Sequence, residues 1–302
     1  MISALTPWQL RALGDVGALY QVPSFNETAE PGILRFGLIA DPQYADADMS
    51  HGRYYRHSLR KLATAIAGLN EWPLDFVVTL GDLVDRDWQS FRAVQHGYQA
   101  LRHPHVVVMG NHDAAVLSRR LADQHPPLGL PKFYFQFRIA GYRIIAIDGN
   151  DISLYCNPAN GDDRQQAQRM LAQLAAEQKP QAQDWNGALS NRQLQWLETC
   201  LQDAQDCRET IVALGHYPLA PAGRHNLWND ETVAALLCRH RTRVYFAGHQ
   251  HGGAYQRIAD TDFITLKGMV DGEDTIPYAI VELRGREMTL SGHGPELSRI
   301  LP

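Results

Sequence analysis

Two carboxylates, Asp41 and Asp82, two amides, Gln43 and Asn111, and three imidazoles, His216, His249 and His251, each come closely after a short apolar run in this chain of 302 residues. The stretches that carry them read "IADPQYAD", "GDLVD", "GNHD", "GHYP" and "GHQH". Together they offer oxygen and nitrogen donors without a thiolate, which suits Mn²⁺, Fe or Zn²⁺ in an open site better than a closed structural zinc site. Donors in this number and of these types fit two ions sharing a carboxylate. Such ions, about 3.5–4 Å apart, can activate a water and clamp the oxygens of an in-line displacement at phosphorus. In four of the stretches a glycine precedes the polar residue, a pattern that lets the backbone turn sharply and leaves room for an ion or phosphate. One such stretch alone reads as a turn; five in order read as a site.

The elements that must position these residues are legible around them. Apolar runs at Leu34–Ala40, Phe76–Leu80, Val106–Met109, Ile144–Ile147, Ile211–Leu214 and Val244–Ala247 alternate with amphipathic stretches, the signature of βαβ units. Sites in open α/β sheets form outside the carboxyl ends of the strands, so residues scattered in sequence converge in space. Tyr55, Leu59, Leu62, Ile66 and Leu69 recur at helical spacing and are expected to form one core-facing helix. Ser190 with Gln193 reads as a capping box opening a second helix through Leu201, and a third comes after Asn229-Asp230 and runs through Leu237. The segments "DFITLKG", "PYAIVELRG" and "REMTLSG" read as strands joined by glycine turns, Gly285 being the tightest, so the sheet is mixed. Residues 151–188 are polar and Gln-rich, with a helix-like part from Asp163 to Gln178, and are read as an insertion near the active site. A short helix is expected around Trp8 to Leu19.

One domain over 1–302, with residues 1–31 as an extension, is expected from the length and from the lack of any linker-like or repeated tract. The net charge of −5 is spread without a basic block, which argues against a nucleic-acid surface or a polybasic membrane patch and favours a small-molecule substrate. The opening "MISALTPWQLRALGDVGALYQV" lacks the basic and apolar regions of a secretory signal, and no stretch has the roughly 18 apolar residues of a spanning helix, so a cytoplasmic location and a monomer are expected. Cys156, Cys200, Cys207 and Cys238 show no metal or disulfide spacing and read as idle thiols. His57, His96, His103, His105, His125, His225, His240 and His293 lie outside the motifs and read as surface or helix-end residues.

The motif set D-x-[HQ], GDxxD, GNH[DE], GH and GHxH, running from about Leu34 to Gly253, resembles the calcineurin-like metallophosphoesterases. That resemblance implies an α/β fold with a four-layer β-sandwich of mixed sheets flanked by helices, and a dinuclear centre at one edge. It assigns Asp41, Gln43, Asp82 and His251 to one divalent ion and Asp82, Asn111, His216 and His249 to the other, with Asp82 as the bridge. It also implies that His112 binds phosphate and protonates the leaving oxygen, and that Asp85 orients His112. The D-x-Q-Y variant, with "RYYRHSL", "WNGALSNRQLQWL", "LWND" and "FAGHQHGGAY", is similar to the manganese-dependent ADP-ribose/CDP-alcohol diphosphatases. That likeness implies Mn²⁺ as the favoured metal, with Fe, Zn²⁺ or Mg²⁺ as alternatives, and cleavage of a nucleoside diphosphate ester into a nucleotide monophosphate and a phosphorylated alcohol or sugar. A cyclic-nucleotide phosphodiesterase, a phosphomonoesterase and a non-catalytic metal-binding scaffold are the rival readings. Tyr44 and the Trp185-Asn186-Gly187 stretch, Asn186 above all, are expected to contact substrate, and Arg86 to reach a phosphate. Gln and neutral His are both uncharged, so Gln43 keeps the charge balance and substitutes a harder oxygen donor that favours Mn²⁺.

Overall fold

The computed structural model describes residues 13–25, 32–124, 130, 132–156 and 161–302. Of the N-terminal helix only its end falls there, as α1 (Asp15–Leu19); the rest of that expectation, like His125, lies outside the described residues. Every apolar run read from the sequence is a strand: β1 (Ile33–Ile39), β2 (Phe76–Thr79), β3 (His105–Val107), β5 (Tyr142–Ala146), β8 (Thr210–Leu214) and β9 (Val244–Ala247). Between β3 and β5 lies β4 (Phe135–Ile139), which pairs antiparallel with β5. After β9 come β10 (Gly252–Ile258), β11 (Thr261–Lys267), β12 (Tyr278–Arg284), β13 (Glu287–His293) and β14 (Arg299–Leu301). The β12–β13 hairpin turns at Gly285, whose φ of 61° is the left-handed conformation that the reading of this turn requires.

The strands form two mixed six-stranded sheets, in the orders β14-β13-β12-β1-β2-β3 and β10-β11-β9-β8-β5-β4. Strand alternation decides the layers. Leu34, Phe36 and Leu38 of β1 and Phe76 and Val78 of β2 point at Ile144, Val212, Leu214 and Phe246 of the other sheet. The rings of Phe36 and Phe246 meet edge-on across the gap at 5.9 Å. The opposite faces are covered by helices. Helices α2 (Ser58–Leu69), α3 (Ser90–Tyr98) and α4 (Asn111–Gln124) place Leu62, Ile66, Phe91, Val94 and Leu117 against the first sheet. Helices α6 (Asn191–Asp206) and α7 (Asp230–Arg239) place Leu197, Leu201, Val233 and Leu237 against the second. Helix, sheet, sheet, helix is the four-layer sandwich expected.

Two local expectations are corrected. Tyr55 is not on the core face of α2: it stands in a 3-10 turn (Tyr55–His57) and packs with Ala45 and Val270 in a separate small cluster. The capping box before α6 is only half formed. Ser190 Oγ accepts from Gln193 N at 3.2 Å, but the Gln193 amide turns inward to bond Asp148 N and O and Asp151 Oδ2. The 151–188 segment contributes α5 (Asp162–Ala176) and a small two-stranded ladder, β6 (Ile152–Ser153) with β7 (Gly187–Ala188).

Candidate metal centre

The donor residues stand at the carboxyl ends of parallel strands. Asp41 and Gln43 come after β1, Asp82 after β2, Asn111 after β3, His216 after β8, and His249 and His251 after β9. Gln43 N donates to Asp82 O at 2.7 Å, so the loops after β1 and β2 stay paired past the end of the strands. Asp41, Gln43, Asp82 and His249 have φ of 49°, 46°, 52° and 63°. Left-handed backbone at non-glycine residues costs of order 1–3 kcal/mol each, and its concentration here marks a surrounding structure that enforces a particular side-chain convergence. The glycines serve that convergence more directly than the sequence suggests. A Cβ on Gly110 would lie 2.1 Å from Asp82 N and Oδ1, and one on Gly248 would lie 2.7 Å from Asp41 Oδ2. They make room for the neighbouring strand's carboxylate rather than for an ion or phosphate.

Ligand-type atoms of Asp82, His216 and His249 lie within 4.8 Å of one another. His216 Nε2 is 3.0 Å from Asn111 Oδ1 and 3.4 Å from Asp82 Oδ2. On the other side, His251 Nε2 is 3.7 Å from Asp41 Oδ1. Each histidine is fixed from behind through a ring nitrogen. His216 Nδ1 donates to Leu80 O at 2.7 Å, His249 Nε2 to Asn186 Oδ1 at 3.0 Å, and His251 Nδ1 to Asp271 Oδ1 at 2.9 Å. Such outer partners set which nitrogen faces a metal.

The electrostatics favour a cation. Burial pushes the Asp82 carboxyl up, but His216, His112 and His249 outweigh it and hold the group below the usual carboxylate range. Burial raises Asp41, against His251 and His216. For His216 burial is overcome by Asp82, and its pKa rises to about 9, so in the metal-free protein a proton occupies the place of a cation. Burial drives His249 far below its ordinary value, into the neutral form that ligates. The test of fit is Gln43. It is wholly buried, and neither Oε1 nor Nε2 has a hydrogen-bond partner, a costly arrangement for a core amide and the expected one for a ligand that awaits an ion. The donor set and this orphaned amide fit divalent metal.

His112 and Asp85 form the pair that the motifs imply. His112 Nδ1 bonds Asp85 Oδ1 at 2.8 Å, and His112 N donates to Asp82 Oδ1 at 2.9 Å. Burial lowers the His112 pKa, but Asp82 and Asp85 together bring it above its ordinary value. The substrate-contact expectations fare differently. Asn186 is fully buried, its Nδ2 donating to Gln181 O and Arg224 O while Oδ1 serves His249, so it positions a ligand and offers substrate nothing. Tyr44 is half-buried against the helix-covered core of the first sheet, its backbone paired with Val84. It does not line the cavity over the metal centre, which encloses about 660 Å³. Arg86 stacks on the ring of Tyr55 at 4.7 Å, and Tyr55 lines that cavity.

Sequence reasoning missed four residues. Asp271, four positions beyond β11, resembles the other strand-end acids and could have been flagged on that ground. Arg224 and His225 line the cavity from a loop with no motif, and Arg53, which opens the "RYYRHSL" stretch, lines it as well. His225 is no ordinary surface residue: its ring is 5.2 Å from that of His249, and burial together with Arg224 lowers its pKa to about 4. His105 is likewise within strand β3, stacked on Tyr98 and bonded through Nε2 to Thr79 Oγ1.

The sequence profile of the calcineurin-like phosphoesterases matches residues 34–253. The chain belongs to this family. It is therefore a phosphoric-ester or phosphoric-anhydride hydrolase. A manganese-dependent ADP-ribose/CDP-alcohol diphosphatase of Bos taurus is 28% identical, over 92% of this chain and 97% of its own. The one from Arabidopsis thaliana is 30% identical over 75% of this phosphoesterase and 83% of its own chain. The crystal structure of a dimetal phosphatase from Danio rerio superposes with a TM-score of 0.79 at 25% identity, covering 90% of this chain and 100% of that one. A purple acid phosphatase from yellow lupin shares the fold at a TM-score of 0.55 and 14% identity, covering 90% and 53%. Among the described residues no helix is long and apolar enough to cross a membrane.

Proposed function

We propose that this phosphoesterase hydrolyses the phosphoanhydride bond of nucleoside diphosphate-linked alcohols or sugars, of which ADP-ribose and CDP-choline are examples, with two Mn²⁺ ions. The observation that carries the reading is the buried Gln43 amide, whose two polar atoms have no partner within the donor set. The D-x-Q-Y stretch that contains it resembles that of the ADP-ribose/CDP-alcohol diphosphatases, and the likeness of the chain to proteins of that name supports the substrate class. Asp41, Gln43, Asp82 and His251 would hold one ion, and Asp82, Asn111, His216 and His249 the other. When bound, the ions supply an activated water and charge neutralisation at phosphorus.

The chain's own residues divide the remaining work. Asp82, shared between the two donor groups, keeps them at a fixed separation. Asn111 adds an amide dipole where negative charge develops. His112, oriented by Asp85, donates a hydrogen bond to a phosphate oxygen and gives its proton to the departing phosphate oxygen. Asp85 accepts from Nδ1, so Nε2 is the nitrogen left for this transfer. Hydrolysis of ADP-ribose and CDP-choline in Mn²⁺ is the test, with a cyclic nucleotide and bis(p-nitrophenyl) phosphate alongside. Survival of both diphosphates while either phosphodiester is cut at speed would refute the substrate class.

A further inference from the structure

The cavity over the metal centre has a wall that the catalytic residues do not use. Starting from the ligand His249, the ring of His225 lies 5.2 Å away, the ring of Trp185 lies 6.3 Å from His225, and the Arg224 guanidinium sits 5.2 Å over Trp185. His249, His225 and Arg224 all line the cavity, as does Arg53, whose backbone pairs with Asp271 behind the ligand His251. Among the described residues, neither the Arg53 nor the Arg224 guanidinium is paired with a carboxylate. The carboxylate that does line this cavity, Asp271, is committed to His251. His225, which lines the cavity, has a buried Nδ1 without a partner. In a chain of net charge −5, two uncompensated arginines in one polar cavity beside a metal centre point to an anion. His225, its ring 5.2 Å from that of the ligand His249, brings this wall up to the metal centre.

We propose that Arg224, His225 and Arg53 form a second phosphoryl subsite that holds the phosphate of the diphosphate that is not attacked, with Trp185 as the platform that fixes the Arg224 guanidinium. The subsite rests on the diphosphatase reading and adds the determinant that separates phosphoanhydrides from esters with a single phosphorus. Arg224 supplies a planar fork to two phosphate oxygens, His225 a single donor, and Arg53 a further positive charge. No bond is made or broken there; its part is to place the scissile phosphorus over the ions.

The test is calorimetric titration of the Mn²⁺-loaded protein with two ligands, AMP and the non-hydrolysable α,β-methylene-ADP. Arg224→Gln and His225→Phe are each expected to weaken the methylene diphosphonate by about tenfold or more, the scale of a charge-assisted hydrogen bond, and AMP by less than about threefold. Arg224→Lys, which keeps the charge and loses the fork, should fall between. Manganese content and melting temperature equal to those of the parent establish that each variant is folded and loaded. Equal loss for both ligands, or no loss for either, overturns the subsite. If the parent hydrolyses ADP-ribose while the variants bind the diphosphonate as it does, the subsite fails and the functional reading stands. If the parent hydrolyses no nucleoside diphosphate ester, that reading fails, whereas a selective loss of diphosphonate binding still supports the subsite.

Discussion

Replacing Gln43 by methionine distinguishes a metal ligand from an ordinary core residue, because the two roles predict opposite effects on stability. Both polar atoms of the Gln43 amide are buried without partners. An unsatisfied buried donor or acceptor costs about 1–3 kcal/mol. Methionine has a similar length and flexibility and no hydrogen-bonding requirement, so metal-free Gln43→Met should be more stable than the parent by about 2 kcal/mol. At about 2 °C per kcal/mol for a chain of this size, the melting temperature should rise by about 4 °C. Mn²⁺ works the other way. At a concentration about 1,000-fold above the dissociation constant, binding to the native state adds about 4.1 kcal/mol. If loss of one ligand weakens the ion about 100-fold, the same concentration adds only about 1.4 kcal/mol to the variant. The variant's lead of about 2 kcal/mol then becomes a deficit of roughly 0.7 kcal/mol. Thermal melts across a Mn²⁺ titration, starting from chelator-treated protein, read both limbs. A variant that is less stable without metal, or that keeps the parent's full Mn²⁺-induced shift, refutes the assignment of Gln43 as a ligand.

Gln43→His should leave the fold intact and move metal preference from Mn²⁺ toward Zn²⁺ or Fe, since a softer nitrogen replaces the amide oxygen; competition binding of Mn²⁺ and Zn²⁺ measures it. Asn186→Leu leaves the Nε2–H of His249 and two loop carbonyls without partners, so metal-free stability should fall by about 2 kcal/mol and Mn²⁺ affinity by about 10–100-fold. The raised pKa of His216 gives the metal-free protein stability that is fully present below pH of about 6.5, its unfolded value, and is lost as pH rises through about 9. Because Mn²⁺ must displace that proton, its apparent affinity should climb about tenfold per pH unit up to about 9, with proton release seen as buffer-dependent binding heat. His112→Ala should lower kcat by about 10²–10⁴-fold with two ions still bound per chain by metal analysis.

The strand ends were readable because each donor comes within a few residues of an apolar run, and parallel topology does the rest. The order of strands within each sheet has no local signal, and neither does β4, whose "FQFRI" alternates clearly but was overshadowed by the stronger run of β5. The outer partners of the ligands were illegible for a different reason. Asn186 meets His249 across 63 positions of sequence, and its type and neighbours suit a turn as well as a buried bond. Reading it as a substrate contact rested on its place in a stretch similar to the diphosphatases, which marks importance without distinguishing ligand from support. His225 and Arg224 lie in the loop between β8 and α7, and only the cavity that the fold closes around them gives those residue types a shared meaning. Tyr44 shows the reverse: it is next to a ligand in sequence, yet it packs against the helix-covered core of the first sheet and does not line the cavity.

The donor types are divided by sheet. Asp41, Gln43, Asp82 and Asn111 all come from the ends of β1, β2 and β3 in the first sheet, and His216, His249 and His251 all come from β8 and β9 in the second. Oxygen donors therefore face nitrogen donors across the same gap that Phe36 and Phe246 fill deeper in the core. In the metal-free protein this edge of the sandwich is joined by weaker substitutes: Asp41 accepts from His249 N at 3.1 Å, and His216 reaches Asp82 and Asn111. An ion bound by donors from both sides closes the edge of the sandwich as a cross-link, so its binding energy stabilises the packing of one sheet on the other as well as the loops. Gln43 is placed to make that cross-link exacting. As a neutral oxygen donor on the carboxylate side, it adds a bond to the ion without adding negative charge to a sheet end that already carries Asp41 and Asp82. A third carboxylate there would raise like-charge repulsion among groups that burial already disfavours as anions. A histidine would instead place an imidazole among the oxygen donors. The amide is thus the residue that completes the oxygen half of the site while leaving its charge at two.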